Sequence, residues 1–429
     1  MINIGLLGLG TVGTGILEIL KERNNGIRVS KVLVNDINKK RDIDLNGAVI
    51  TSDFNEILCD ESISIITEVT SSVEQGYEYI KSALNSGKHV VTANKAVVSG
   101  YYEELSSLAK ENNRAFLYEA SVGGGIPIIK PLREQVELNE IISIQGILNG
   151  TCNYILTKMF DENLNYDQAL KMAQELGYSE ADPSADVDGY DTLRKLRILG
   201  TLGFQGSVRE SDIQVSGIRG ITAFDVEQIK KMDCTVKLIG EMKAVENEFT
   251  AAVQPVLIKK NSYFSNVNMS FNSIVFKGSN VGELKFYGLG AGKLPTATAV
   301  LNDILDIVNN SYRKSNPLGG KVLKNANHKQ KERYYLRISD FNAKKSDRLK
   351  YITEKLLYSS ENTAVITKEV LYDDILNLVA EPGLSRYFAA KIPEGPRNIG
   401  TIGTVGDGFF GNQMNQMDPV FLEETAFTS

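Results

Sequence analysis

The chain has 429 residues, a formal net charge of −6 and a pI near 5.4, with 42% apolar and 23% charged residues. That length calls for two or three domains with a sizeable core, and the acidic balance argues against a general nucleic-acid or anionic-membrane binder. The longest apolar runs, such as residues 63–66, are too short to span a bilayer, and MINIGLLGLG has no basic flank and no small-residue cleavage site, so it reads as strand and turn rather than a signal peptide. Cys59, Cys152 and Cys234 are widely spaced in apolar surroundings, which points away from a disulfide framework or a zinc site and towards a reducing cytoplasm. Only His89 and His328 are present, so acid–base work must fall to lysines or carboxylates.

In chain order, residues 2–7 (INIGLL) read as an apolar strand running into Gly8-Leu9-Gly10-Thr11-Val12-Gly13. Residues 14–23 then have helical periodicity and 29–34 form a second strand. A G-x-G-x-x-G turn between strand and helix is the arrangement that lets a pyrophosphate approach the backbone and meet the N–H groups of a helix start. Asn35-Asp36 ends the second strand, where ribose contacts are made. Strands at 62–67, 89–92 and 115–118 alternate with helices at 76–86 and 101–112, which predicts a Rossmann-type, doubly wound parallel sheet. The crevice beyond its strand ends should be lined by Thr92, Asn94 and Lys95 and by the turn Gly123–Gly125; the bland alternatives are a solvated lysine and a helix-leading turn.

After Pro131 the pattern becomes α+β: a strand at 141–148 leading into Asn149-Gly150-Thr151, a helix at 166–176, and strands at 249–258 and 273–277. Residues 177–196, GYSEADPSADVDGYDTLRKL, gather Glu180, Asp182, Asp186, Asp188 and Asp191 before turning basic. A helix from 188 onward puts Asp191 and Lys195 four apart on one face, where a lysine beside carboxylates can carry a proton; an acidic loop leading into a salt-bridged surface helix is the plainer reading. A second glycine-rich turn, Gly288 to Gly292, opens a helix at 297–309 that would return the chain to the nucleotide unit. Residues 313–333 hold seven Lys or Arg against one acid and read as a solvated linker. Beyond it, a strand at 334–341, a helix at 346–358 and a strand at 363–372 suggest a small separate unit, removable without loss of folding or activity. The Gly/Asn/Met-rich tail from 393 carries no legible pattern.

Taken together, GLGTVG, VVTANK, EASVGGGIPI, GILNGTCNYIL, GYSEADPSADVDGYDTLRKL and GLGAGKLPTATAV closely resemble the homoserine dehydrogenases over residues 2–310. That resemblance implies NAD(P)H-dependent reduction of L-aspartate 4-semialdehyde to L-homoserine, in threonine, methionine and isoleucine biosynthesis, by a cytoplasmic homodimer or homotetramer. It assigns Gly8, Gly10, Thr11, Val12, Gly13, Thr92, Lys95, Gly177 and Gly292 to the cofactor; Asn35, at the ribose position, stands where NADP-preferring members often carry an arginine, a part that Lys39, Lys40 and Arg41 could take. Lys195 corresponds to the proton donor, Lys95 to a second active-site lysine, and Tyr178, Glu180 and Asp191 to substrate-holding positions. Glu119, Val122, Gly124 and Ile126 correspond to a sodium site, with a carboxylate and three backbone carbonyls as ligands. The implied domains are a nucleotide unit at 1–134 with about 290–312, a catalytic and dimerisation unit at 135–289, and an ACT-like or accessory unit at 334–429. In that last unit, Asp340-Phe341-Asn342-Ala343-Lys344 replaces the acid-Pro-Gly turn usual in ACT domains. No aspartokinase fusion is expected. The competing readings are another NAD(P)-dependent amino-acid or semialdehyde dehydrogenase, and a non-catalytic dinucleotide sensor.

Overall fold

A computed structural model describes residues 1–23, 26–312, 321–340, 343–382 and 384–393, all within one compact unit. Its first half is a six-stranded parallel sheet built from β1 (Ile2–Leu7), β2 (Ile27–Leu33), β3 (Val49–Thr51), β4 (Ile63–Glu68), β5 (His89–Thr92) and β6 (Phe116–Leu117). The strand order β3-β2-β1-β4-β5-β6 places a topological switch between β1 and β4, where ligands bind in open α/β sheets. Helices α1 (Thr11–Glu22), the short α2 (Asn55–Leu58), α3 (Val73–Asn85) and α4 (Lys95–Glu111) connect these strands. The strands are near-continuous runs of Ile, Leu and Val because both faces of the sheet are covered.

From α5 (Ile129–Gln135) the chain builds a second, mixed sheet. It begins with β7 (Ile141–Ile147) and continues through α6 (Gly150–Glu162), α7 (Tyr166–Glu175), the single turn α8 (Ser184–Val187) and α9 (Tyr190–Phe204). After β8 (Gln214–Val215) and α10 (Ala223–Lys230) come β9 (Cys234–Val245), β10 (Glu248–Lys259), β11 (Phe271–Gly278) and β12 (Gly282–Leu289). Glycines set how closely α9 lies on this sheet: a Cβ on Gly200 would sit 2.2 Å from the Met242 sulfur, and one on Gly240 3.1 Å from Thr192. Then α11 (Lys293–Val308) returns to the first sheet, where Ala297, Val300, Leu301 and Ile304 share a core with Ile4, Leu6, Ile16 and Val32. The expected α/β fold with a second mixed-sheet unit is therefore present.

The C-terminal part departs from expectation in two ways. Residues 321–333 are not a free connector. Their β13 (Lys324–Asn325) pairs with β10, and Asn327 donates to the Asp212 and Ala251 carbonyls; residues 313–320 of the expected linker lie outside the described residues. The helix expected over 346–358 stops at Ile352. Directly after α12 (Asp347–Ile352) the chain becomes β15 (Thr353–Ser359), antiparallel to β16 (Thr363–Thr367), with Thr353 already extended at ψ 128°. With β14 (Arg333–Ile338), α13 (Tyr372–Val379) and β17 (Tyr387–Ile392), the order is β-α-β-β-α-β with strands arranged β17-β14-β16-β15, a ferredoxin-like unit. Its β17 meets β10 at Val256 and Lys391, so one eleven-stranded sheet runs through both parts. Among the described residues no helix is long and apolar enough to cross a membrane. The tail from 394 is outside the described residues.

Candidate active site

The glycine turn after β1 is shaped by contacts only glycine permits. Gly8 holds φ +102°, and a Cβ on Gly13 would sit 2.2 Å from the Gly8 carbonyl oxygen. A Cβ on Gly10 would meet nothing within 4 Å, so the turn is tight on its inner side and open on its outer side. Beneath it, a Cβ on Gly15 would press to 2.8 Å from the Lys293 carbonyl, which brings the glycine turn before α11, with Gly292 at φ +124°, beside the start of α1. Thr11 is exposed and Val12 half-buried at that start. An open glycine cradle at a helix N-terminus, beside the switch point, fits a dinucleotide pyrophosphate. Asn35 is exposed at the end of β2, where the Asp36 carboxylate accepts from Asn38 N (2.8 Å) and Arg41 folds back on the Lys39 and Asp36 carbonyls (2.9 and 2.7 Å). Gly177, at φ +73°, succeeds α7 with open space around it.

At the ends of β4 and β5 lies a group with no sequence signature. Glu68 is fully buried and accepts from Thr92 Oγ1 (2.6 Å), Thr70 Oγ1 (2.5 Å) and Thr70 N (2.8 Å). Burial pushes its carboxyl above the usual range against those bonds. Thr92 in turn accepts from Asn94 N, and Asn94 caps α4, so Lys95 begins that helix at a fixed place on the crevice edge.

From there Lys95 reaches α9. Its Nζ lies 2.7 Å from Asp191 Oδ1 as an ion pair, while Lys195 Nζ lies 2.7 Å from Asp191 Oδ2 and donates to the Leu148 carbonyl at 2.7 Å. The i, i+4 spacing read from the sequence thus brings Asp191 and Lys195 together, although α9 starts at Tyr190 behind Gly189 (φ +92°) rather than at Asp188. The Lys95 side chain is 42% exposed and that of Lys195 only 10%, so one lysine faces the crevice and the other sits beneath it. Burial pushes the Asp191 carboxyl up, but Lys195 and Lys95 outweigh it and hold it well below the ordinary carboxylate range. Asp191 reciprocally raises Lys95. The Asn149 amide donates to Asp191 Oδ2 (2.8 Å) and Asp186 Oδ1 (2.7 Å), contacts 42 and 37 residues apart that no local pattern reveals.

Other expected residues lie differently. Glu180 is exposed on the loop before α8, with its carbonyl accepting from Gln174, and Tyr178 is 43% exposed with its ring 5.1 Å from that of Tyr154. Glu119 is buried, and its carboxylate accepts from three successive amides, Ile128 (2.6 Å), Ile129 and Lys130 (both 2.8 Å), as a cap on α5. Val122 and Ile126 are buried on the same loop, and Gly124 is held at φ +55° with its Cβ position filled by Gly290. Among the described residues no group of three or more His, Cys, Asp or Glu could hold a metal.

A nucleotide-binding parallel sheet whose crevice carries two lysines on one buried carboxylate defines an NAD(P)-dependent dehydrogenase acting on a carbonyl or alcohol. Comparison with known proteins narrows the class. A family model described as the homoserine dehydrogenase NAD-binding domain matches residues 8–119, and the homoserine dehydrogenase model matches 127–305. Curated homoserine dehydrogenases of Bacillus subtilis (strain 168) and a Synechocystis species are each 42% identical over 317 residues, covering 72% of this chain and 73% of theirs. A homoserine dehydrogenase structure from Thiobacillus denitrificans superposes with a TM-score of 0.81 at 30% identity, over 92% of this chain and 98% of that one. A hyperthermophilic archaeal homoserine dehydrogenase in complex with NADPH superposes at 0.61 and 29% identity, over 72% and 98%. This chain belongs to the homoserine dehydrogenase family, and it is an NAD(P)-dependent oxidoreductase of the CH–OH group.

Proposed function

We propose that Lys195 is the proton donor to the aldehyde oxygen of L-aspartate 4-semialdehyde, with Lys95 stabilising the growing negative charge and Asp191 holding both lysines. The observation that carries this reading is the pair of 2.7 Å contacts that set two ammonium groups on one carboxylate at the crevice edge. When bound, the dinucleotide supplies the hydride to the carbonyl carbon or takes it back from homoserine. An ammonium has three N–H donors; Leu148 and Asp191 take two of those on Lys195, which leaves the third for the substrate oxygen. The substrate's α-ammonium is expected on Glu180 and Asp191; since Asp191 already meets two lysines and Asn149, it falls chiefly to exposed Glu180 and to the Asp186 side of the acid pair.

The test is turnover of homoserine and of aspartate semialdehyde by the wild type and Lys195→Ala. Loss of a positioned acid should lower kcat by about a hundredfold or more with dinucleotide affinity retained. Near wild-type kcat in Lys195→Ala would move the donor role to Lys95.

Asn35 offers no cation to a 2′-phosphate and Arg41 is engaged with its own loop, while exposed Lys39 and Lys40 pull the other way; we read NADH as used at least as well as NADPH. The ratio of kcat/KM for the two settles the preference, and a strong NADPH preference lost in Arg41→Ala would reverse it. For sodium, the three amides on Glu119 leave its carboxylate little freedom, so coordination would rest on loop carbonyls at Val122, Gly124 and Ile126. Activity compared in sodium and tetramethylammonium salts tests that site. Edge strand β12, with Tyr287 55% and Leu289 44% exposed, supports homodimer formation, and three free cysteines suit the cytoplasm. A division into units at 1–134 with about 290–312, 135–289 and 334–429 is supported by the separate parallel sheet and by the ferredoxin-like order of β14 to β17, although the last two units share one sheet.

A further inference from the structure

We propose that Asn149 is a positioning residue: its side-chain amide holds Asp186 and Asp191 together as two carboxylates, and so fixes Asp191 beneath Lys95 and Lys195. The inference rests on the reading of those lysines and Asp191 as the reacting cluster. Asn149 is the N-cap of α6, in extended conformation and 4% exposed, and its Oδ1 accepts from Cys152 N at 2.8 Å. That bond sets which way the amide faces, because a backbone N–H at a helix start needs an acceptor. The Nδ2 group is thereby turned outward, with one hydrogen to Asp186 Oδ1 (2.7 Å) and the other to Asp191 Oδ2 (2.8 Å). The preceding residue, Leu148, gives its carbonyl to Lys195 Nζ (2.7 Å). Two consecutive residues at the end of β7 therefore grip both members of the Asp191–Lys195 ion pair.

Capping alone does not call for an asparagine. Ser, Thr and Asp supply a cap acceptor as well, but only an amide adds two donors on the same group. Those donors meet a specific difficulty. Two carboxylates brought to one site repel, and one of them tends to take up a proton; burial and the Asp191 charge already push Asp186 up. An amide hydrogen aimed at each favours both charged forms at once, and a doubly charged pair is what two lysines and an α-ammonium require. The charged and titratable groups around the pair are Lys95, Cys152, Asp188, Arg194 and Lys195, with Asp188 itself tied to Arg219.

The experiment compares Asn149→Ser and Asn149→Asp with wild type in the full chain, reading the pH profile of kcat/KM for homoserine, NADP+ affinity and the melting temperature. Both variants keep the cap acceptor; serine has one hydroxyl donor on a shorter side chain in place of the two amide donors, and aspartate has none. The acid limb should move to higher pH by about one unit or more in the serine variant, the effect of removing one hydrogen bond from a charged acceptor, and further in the aspartate variant, which adds a third carboxylate. NADP+ affinity and melting temperature should stay near wild type in Asn149→Ser. An acid limb that stays in place in both variants overturns the proposal, whether or not kcat falls. Wild-type turnover and the loss in Lys195→Ala report on the dehydrogenase reading separately. An unmoved limb where both of those hold sinks the Asn149 role alone.

Discussion

Asp191 is the residue on which the chemistry converges, and its charge state is set by what surrounds it. Because its folded pKa is depressed, the stability it contributes is fully present above the ordinary aspartate value and is lost only as pH falls through the much lower folded one. Acid inactivation above that range therefore has to come from elsewhere in the cluster, with the raised Asp186 the first candidate. Replacing Asp191 by Asn leaves Lys195 buried without a counter-charge, and removing one partner of a buried pair costs about 3–5 kcal/mol. Asp191→Asn should therefore lower both stability and activity, measured by urea unfolding and turnover. By contrast, Glu180→Gln should leave stability unchanged, because Glu180 is exposed, and raise KM about ten- to a hundredfold if it meets the substrate's ammonium. The pairing of Asp191 with Lys195 was legible in the sequence because four residues on a helix share a face. The convergence of Lys95, Leu148 and Asn149 on that pair was not, because it depends on how two sheets come together.

Among elements, the glycine turn and the C-terminal helix show opposite limits of local reading. The turn is written in the chain itself, since its glycine spacing is local and Gly13 answers to the Gly8 carbonyl five residues back, and Gly13 and Gly10 separate cleanly in a test. Ala at position 13 would collide with the Gly8 carbonyl, so Gly13→Ala should lower the melting temperature despite the better helix propensity of alanine. Ala at position 10 meets nothing in the protein, so Gly10→Ala should keep the melting temperature and weaken dinucleotide binding, measured by calorimetry. A Gly10→Ala variant that binds dinucleotide normally would show that the pyrophosphate lies elsewhere. The helix expected over 346–358 fails for the converse reason. Its apolar spacing is compatible with either period, and the partner that decides for a strand, β16, is supplied from outside the segment. Other strands, such as β9 and β12, are hard to read because Gly240 and a run of alternating polar residues blur the pattern.

Over the whole molecule, the contacts of the C-terminal unit argue against the expectation that it can be removed. Arg337 donates twice to Asp225 (3.1 and 2.9 Å) and once to the Gly220 carbonyl, and the two side chains are 3% and 0% exposed. Lys391 joins Glu241 (2.8 Å) and Glu332 (2.7 Å), and with Lys243 it holds Glu241 down to about 2 although burial pushes the other way. Truncation after Ser311 removes Arg337 from Asp225 and Lys391 from Glu241, leaving Glu241 only Lys243, and uncovers the apolar surface that the C-terminal strands bury, so the shortened chain should be insoluble or unfold at a lower urea concentration than the full chain. A truncated protein that unfolds at the same urea concentration as the full chain would restore the modular view. The archaeal relative described above, matched over 98% of its length by 72% of this chain, shows that the family also includes members without the whole of this chain's length. Because Glu241 is depressed, it contributes stability above about 4.5, its ordinary value, that is lost as pH falls towards 2, and Glu241→Gln should flatten the urea midpoint over that window.

The junction of β17 with β10 also sets an order of events during synthesis. Residues 248–259 leave the ribosome well over a hundred residues before their neighbour at 387–392 exists. At about 5–20 residues per second, that edge of β10 waits roughly 7–25 seconds, with only the two-residue strands β8 and, later, β13 beside it. A waiting strand edge is an invitation to the wrong partner, and the charges of Asp225 and Glu241, still solvated at that stage, work against premature burial of the surface they occupy. The acids that anchor the finished unit thus also guard its vacant place on the nascent chain.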